Sequence, residues 1–211
     1  MRQIVYSLTL SAAVNNAVCL DQTRVGAGAL TINGTLATGG VATFAVAYTV
    51  SVTSTGNDSS RTYTITGTNA NGQTISETIT GPNTTTVYTT RYFKTVTGVS
   101  VVGGGTVGTV RVGFGTSGVT PTIPIDNHGR PEISLQAVVS GTATWTIQQT
   151  LDNPWESATL NWFDHADPLM VGQTVSRQGN YAYVPAAVRL KITSGTGTVT
   201  FTVVQSGDFR A

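Results

Sequence analysis

Between Arg61 and Thr80 the chain reads RTYTITGTNANGQTISETIT, two alternating runs on either side of a turn. Tyr63, Ile65 and Gly67 share one face of the first run, and Ile75, Glu77 and Ile79 share one face of the second, so both read as strands. A two-residue Asn71-Gly72 loop would place Ile65 and Ile75 on opposite faces of the hairpin. A three-residue loop, Ala70-Asn71-Gly72, pairs Gly67 with Ile75, Ile65 with Glu77 and Tyr63 with Ile79, and restores one apolar face. It puts Gly72 at the left-handed position of a bulge-type turn. The register also turns Glu77 inward, which predicts an ion pair with Arg61, Arg91, Lys94 or Arg111.

Strand patterns recur on both sides of this hairpin. Gln3 to Leu10, Ala27 to Asn33, Val41 to Thr53, Thr85 to Thr90, Phe93 to Val102 and Thr109 to Phe114 alternate, with Asn33-Gly34, Gly39-Gly40 and Gly103-Gly104-Gly105 as punctuation. In the long run Phe44, Val46, Tyr48, Val50 and Val52 share one face. The pattern then stops in GTSGVTPTIPIDNHGRP, rich in Gly and Pro, which reads as a linker. Beyond it Ile133, Leu135, Ala137 and Val139 face one side with Ala143, Trp145 and Ile147, around a turn at Gly141. Val188, Leu190 and Ile192 match Val199, Phe201 and Val203 as a closing hairpin only across an even loop, which Ser194-Gly195-Thr196-Gly197 supplies.

These runs predict an all-β chain of two tandem antiparallel β-sandwich domains, Ig-like or jelly-roll-like. The expected boundaries are 1–117 for the first domain, 118–131 for the linker and 132–211 for the second. One continuous sandwich is the alternative.

Composition adds a surface. The 211 residues include 39 Thr, 26 Val and 24 Gly, and only 10% are charged, against roughly 25% in an average domain. Thr, Ser, Asn and Gln must therefore cover the outside, a surface that loses water cheaply and suits contact with other subunits or with sugars. A net charge of +1 with dispersed basic residues gives no reason to expect nucleic acid or an anionic membrane as partner. Cys19 is the single cysteine, so neither an intrachain disulfide nor a cysteine zinc cluster can form, and it reads as a small buried hydrophobe. The first residues alternate as a strand rather than as a leader, and no run approaches the ~20 apolar residues of a membrane span. The expectation is a chain made without export.

Chemistry is sparse. Asp164, His165 and Asp167 form the one compact group of ligand-type side chains, with His128 and Asp126 as distant candidates. The favoured reading is a solvated loop in which Asp167 caps a turn. No Gly-x-Ser-x-Gly elbow or phosphate loop occurs, and the ten acidic residues offer no recognisable pair. The expectation is no catalytic, cofactor or metal site. Asp152 to Val175 concentrates aromatic area, with a short strand expected over Ala158 to Phe163 between turns at Asn153-Pro154 and Asp167-Pro168. Trp155 and Trp162 there, with Tyr181 and Tyr183 further on, are the candidate interaction surface. Core filling and loop anchoring compete with a sugar platform or a subunit contact for these rings.

SSRTYTITGTNANGQTISETITGPNTT, followed by RYFKTVTGVSV, resembles segments of small β-rich virion structural proteins of tailed bacteriophages. SGTATWTIQQTLDNP and AAVRLKITSGTGTVTFTVVQSG are similar to segments of the same kind of protein. The resemblance implies a non-enzymatic capsid decoration, neck or tail component, present in several copies. Its partners would be other virion proteins and copies of itself, and it would assemble in the host cytoplasm. A carbohydrate- or receptor-binding module of a phage tail, with a surface glycan as ligand, is the alternative.

Overall fold

The alternating runs fold as antiparallel strands. The structure is a computed structural model and describes residues 2–126 and 132–205. In chain order the strands are β1 (Arg2–Thr9), β2 (Val14–Gln22), β3 (Gly28–Ala29), β4 (Ala37–Thr38), β5 (Val41–Ser54), β6 (Thr62–Thr68), β7 (Thr74–Thr80) and β8 (Thr86–Val102). There follow β9 (Val110–Val119), β10 (Ile123–Pro124), β11 (Ile133–Ser140), β12 (Ala143–Thr150), β13 (Phe163–Asp164), β14 (Arg177–Asn180), β15 (Ala187–Gly195) and β16 (Thr198–Gln205). A 3-10 turn, Pro168–Met170, is the single helical element among the described residues.

The chain divides into two compact units; one break, at 116/117, lies within a residue of the expected end of the first domain, and a second, at 11/12, lies where none is expected. Ala12–Thr116 forms one; Met1–Ser11 joins Ser117–Ala211 in the other, so the first unit is inserted into the second. The reason lies in β1, which pairs along its whole length with β16, from Arg2 opposite Gln205 to Thr9 opposite Thr198. The expected linker is also partly strand. Gly118 and Val119 pair with Ile192 and Lys191, and Ile123 and Pro124 with Val188 and Ala187. Ile123 and Ile125 are buried, so this Gly/Pro-rich stretch carries core residues. Pro124 sits where a short strand tolerates the missing N–H. His128 and the rest of 127–131 lie outside the described residues.

In the inserted unit the expected hairpin holds in detail. Tyr63 pairs with Ile79, Ile65 with Glu77 and Gly67 with Ile75. The Asn69 amide donates to the Gln73 carbonyl at 2.9 Å, which leaves Ala70-Asn71-Gly72 as the loop, and Gly72 has φ 81°. β8 is one strand where two were expected; its first part pairs with β5 and its last with β6. Ala27 to Asn33, expected as a strand, keeps only Gly28–Ala29 in the ladder with β8, because Gln22 binds Thr31 through both its side-chain oxygen and its nitrogen.

The ion pair expected at Glu77 does not form. Its Oε1 accepts from the Thr90 amide and hydroxyl, and its Oε2 from the Arg91 amide, each at 2.8 Å. The sheet curls until β7, its outer strand, reaches the start of β8, and the carboxylate closes that gap against backbone N–H groups. All four candidate cations are engaged elsewhere. Arg61 donates to the carbonyls of Gly103 and Gly105, Arg91 to that of Ser76 and Lys94 to that of Ala45, while Arg111 lies 3.1 Å from Asp21.

Phe44, Tyr48 and Phe114 pack together in this unit's core, with ring centroids 4.4 to 6.0 Å apart. Cys19 is buried here, and desolvation pushes its thiol up to about 12. Asp58 is fully buried; it accepts from the Tyr63 hydroxyl at 3.0 Å and the Val107 amide at 2.7 Å.

In the interrupted unit one sheet runs β1-β16-β11-β14, and β12 pairs with β13 and β15 in another. The closing hairpin expected from 188–192 and 199–203 is therefore an arch: β15 lies in one sheet and β16 in the other. β11 and β12 make a second arch about Gly141, φ 82°. Alternation demanded only that the two apolar faces look at one another. Two opposed sheets meet that demand as well as a hairpin does, and they bury Leu8, Leu135, Trp145, Ile147, Leu190 and Phe201 between them. The two arches meet where the Gly197 amide donates to the Thr142 carbonyl at 2.8 Å. A Cβ on Gly195 would stand 2.3 Å from that carbonyl oxygen, so a side chain there would part the corner.

Candidate functional site

Two surfaces of the interrupted unit stand out, and the first is a sheet face. On β1, β16 and β11 the inward residues are apolar apart from the Arg2–Gln205 pair at one end, so the alternate positions face out. Gln3, Val5, Ser7 and Thr9 stand beside Val204, Thr202, Thr200 and Thr198. Ser134, Gln136, Val138 and Ser140 follow on β11, and Gln178 and Asn180 on β14. None of these residues carries a charge. Their hydroxyls bind one another across the strands, Ser7 with Thr200 at 3.1 Å and Thr9 with Thr198 at 2.7 Å. Satisfied this way, they ask little of water and lose little when it leaves. The face measures about 25 Å along the strands and 15–20 Å across, or roughly 400–500 Å².

The second surface is the end of β12 with its neighbours. Gln149 continues the phase of Trp145 and Ile147 and so points inward, whereas Gln148 points out. On the outward side Arg189 donates to Gln148 Oε1 at 2.9 and 2.7 Å, and Gln148 Nε2 donates to Asp164 Oδ1 at 2.8 Å. The Arg189 guanidinium also covers a face of Trp162, 4.1 Å from the ring centroid. On the inward side the His165 amide donates to the Ile147 carbonyl at 2.9 Å, and Phe163 pairs with Gln149. Gln149 and His165 are thus diagonal neighbours. The His165 and Tyr181 rings lie 4.5 Å apart, those of Tyr181 and Tyr183 6.3 Å, and Gln149 Nε2 hydrogen-bonds the Tyr183 hydroxyl.

The four aromatic candidates are thus distributed unequally. Tyr181 and Tyr183 come together; the first is buried and the second 48% exposed. Trp162 belongs to the opposite side of β12, partly buried under Arg189. Trp155 is 79% exposed in the loop after β12, where its amide donates to Asn153 Oδ1 at 3.0 Å as the Asn153-Pro154 turn predicts. The short strand is Phe163–Asp164 rather than Ala158 to Phe163. Asn161, within that expected stretch, binds Asp152 instead of a neighbouring strand: Asp152 Oδ2 accepts from both the backbone amide and the side chain of Asn161. Trp145 is wholly buried core, and its indole N–H donates to the Val175 carbonyl at 3.2 Å.

Asp164 and His165 point to opposite sides of β13. Asp167 does cap the turn, accepting from the Leu169 amide at 2.9 Å. Among the described residues no three His, Cys, Asp or Glu side chains converge on one point. Burial lowers the pKa of His165, with Asp167 and the Asn180 backbone opposing the shift. Burial, with Tyr183 adding to it, raises that of Tyr181.

No sequence motif marks Gln149 and His165 as partners of the tyrosines. The signal was in phase: a Gln at an inward position of TWTIQQT is a buried amide that needs partners.

Compared with family models, curated proteins and solved structures, the chain gives no match.

Proposed function

We propose that the chain is a non-enzymatic structural subunit that assembles in multiple copies, and that the assembly is the capsid or tail of a tailed bacteriophage. The observation that supports assembly is the uncharged outer face of the β1-β16-β11-β14 sheet. A face without charge meets a copy of itself without repulsion, and it meets another subunit without the cost of stripping water from ions. Its roughly 400–500 Å² is about half of what one partner contributes to a standard stable interface. Such a contact is weak alone and durable when symmetry repeats it. The phage setting rests on the resemblance of the hydroxyl-rich segments named in the sequence analysis.

The test is the molar mass of the purified chain by light scattering, beside that of a variant with Val138→Lys and Thr200→Lys on adjacent strands of this face. The wild type should form a discrete oligomer and the variant should not. A wild type that stays monomeric at high concentration, and is absent from purified particles by quantitative mass spectrometry, refutes the proposal. A second reading, a carbohydrate-binding module, is favoured by the exposed rings of Tyr183 and Trp155.

A further inference from the structure

Buried side-chain polar atoms are nearly always hydrogen-bonded. Among the described residues Gln149 Oε1, His165 Nε2 and Tyr181 Oη are buried without a hydrogen-bond partner, and the three side chains neighbour one another at the inward side of the β12–β13 margin. The three residues are 7%, 7% and 9% exposed.

What each atom offers follows from its neighbours. Gln149 spends Nε2 on the Tyr183 hydroxyl, which leaves Oε1 as an acceptor. His165 Nδ1 accepts from the Asp167 amide at 3.0 Å, so a neutral ring carries its proton on Nε2 and offers a donor; the Asn180 backbone lies near enough to attract that proton but not in hydrogen-bond geometry. Tyr181 Oη serves as either. One acceptor, one donor and one hydroxyl, set among ring faces, match adjacent hydroxyls of a pyranose, whose C–H face lies well on an aromatic ring. Ions are poorly served, because Arg189 and Asp164 are tied to Gln148 on the other side of the strand. Tyr183 lies between β14 and β15 in a segment without ladder partners, and its half-exposed ring is fixed by the bond to Gln149.

We propose that Gln149, His165 and Tyr181 form a subsite for one neutral sugar ring, and that Tyr183 is its cover. Outward rotation of Tyr183 frees the Gln149 amide, so that both of its ends and the two orphan groups face the incoming hydroxyls. This deepens the carbohydrate reading and rests on it; it is independent of assembly.

The experiment maps backbone amide shifts of the isotope-labelled full chain, titrated to millimolar concentration with the methyl glycosides of glucose, galactose, mannose and N-acetylglucosamine. At least one sugar should shift amides at 147–149, 163–167 and 179–185. Gln149→Leu, similar in shape and without the amide, should weaken that response about tenfold or more. Tyr183→Phe, which releases Gln149 and keeps the ring, should strengthen it. Shifts centred on Trp155 would overturn the subsite and leave the carbohydrate reading standing. No shift with any sugar would overturn both, as would a silent glycan array. A Gln149→Leu chain that keeps the wild-type near-ultraviolet spectrum and binds as the wild type does also overturns the subsite. If that variant fails to fold, unchanged binding in Tyr183→Phe does so.

Discussion

Glu77 offers the sharpest test of how the inserted unit is closed. Its carboxylate accepts three hydrogen bonds at 2.8 Å, two on Oε1 from Thr90 and one on Oε2 from Arg91. Bonds to a charged group contribute about 1.5–3 kcal/mol each where water is excluded. Glu77 is only partly buried, so water takes over some of what is lost when the side chain is cut back. Glu77→Ala should cost about 2–3 kcal/mol, a large fraction of the 5–15 kcal/mol that holds a typical domain. Glu77→Gln keeps an oxygen for Thr90 but turns an NH₂ toward the Arg91 amide, donor against donor, and should cost about half as much.

The assay is a urea titration with two reporters. All three tryptophans, at 145, 155 and 162, lie in the interrupted unit, and Cys19 lies in the inserted one. Cys19 is fully buried and its thiol is pushed up to about 12, so its labelling by a thiol reagent reports opening of the inserted unit. The labelling midpoint should fall in both variants, further in Glu77→Ala. An unchanged midpoint in Glu77→Ala would refute the idea that a side chain does the work of a missing ladder.

Three further outcomes are expected. Burial holds His165 below the ordinary imidazole value of 6.5, so below that pH the unfolded chain takes up a proton that the folded chain refuses. Tryptophan-monitored stability should therefore fall as the pH drops through that value, by up to about 1.4 kcal/mol per unit, until the folded imidazole itself titrates. The term should vanish above about pH 7.5, and His165→Gln should remove it. Asp58→Ala strands a buried tyrosine hydroxyl and the Val107 amide, and should cost about 3–4 kcal/mol in the thiol assay. In Asp58→Asn the Tyr63 phenol, now raised by burial first and by Asp58 second, should titrate lower than in the wild type in an ultraviolet absorbance titration. It should stay above the ordinary tyrosine range.

The β6–β7 hairpin was legible to the residue because its turn, its alternation and Gly72 are local and constrain one another. The arches were not. Alternation in 188–192 and 199–203 states which side chains look inward, and it is silent on whether the strand that meets them lies in the same sheet or the opposite one. The cation expected at Glu77 failed for a related reason: sequence supplies candidate partners, while the curl of a sheet decides that backbone amides arrive first. Tyr181 and Tyr183 could be picked out as aromatic, but their meeting with Gln149 and His165 depends on a two-residue strand that no periodicity marks.

The pairing of β1 with β16 has a consequence for the order of events in synthesis. Ser7 meets Thr200 across 193 positions of chain, so β1 leaves the ribosome long before its partner exists. The inserted unit, Ala12–Thr116, is complete while β1 still waits. Contacts this remote are slow to form. The waiting strand is the polar, weakly apolar RQIVYSLT, a composition that tolerates delay in water better than a continuous apolar run would. Among the described strands β16, whose Thr200 is made 193 residues after Ser7, is then the one that fixes β1.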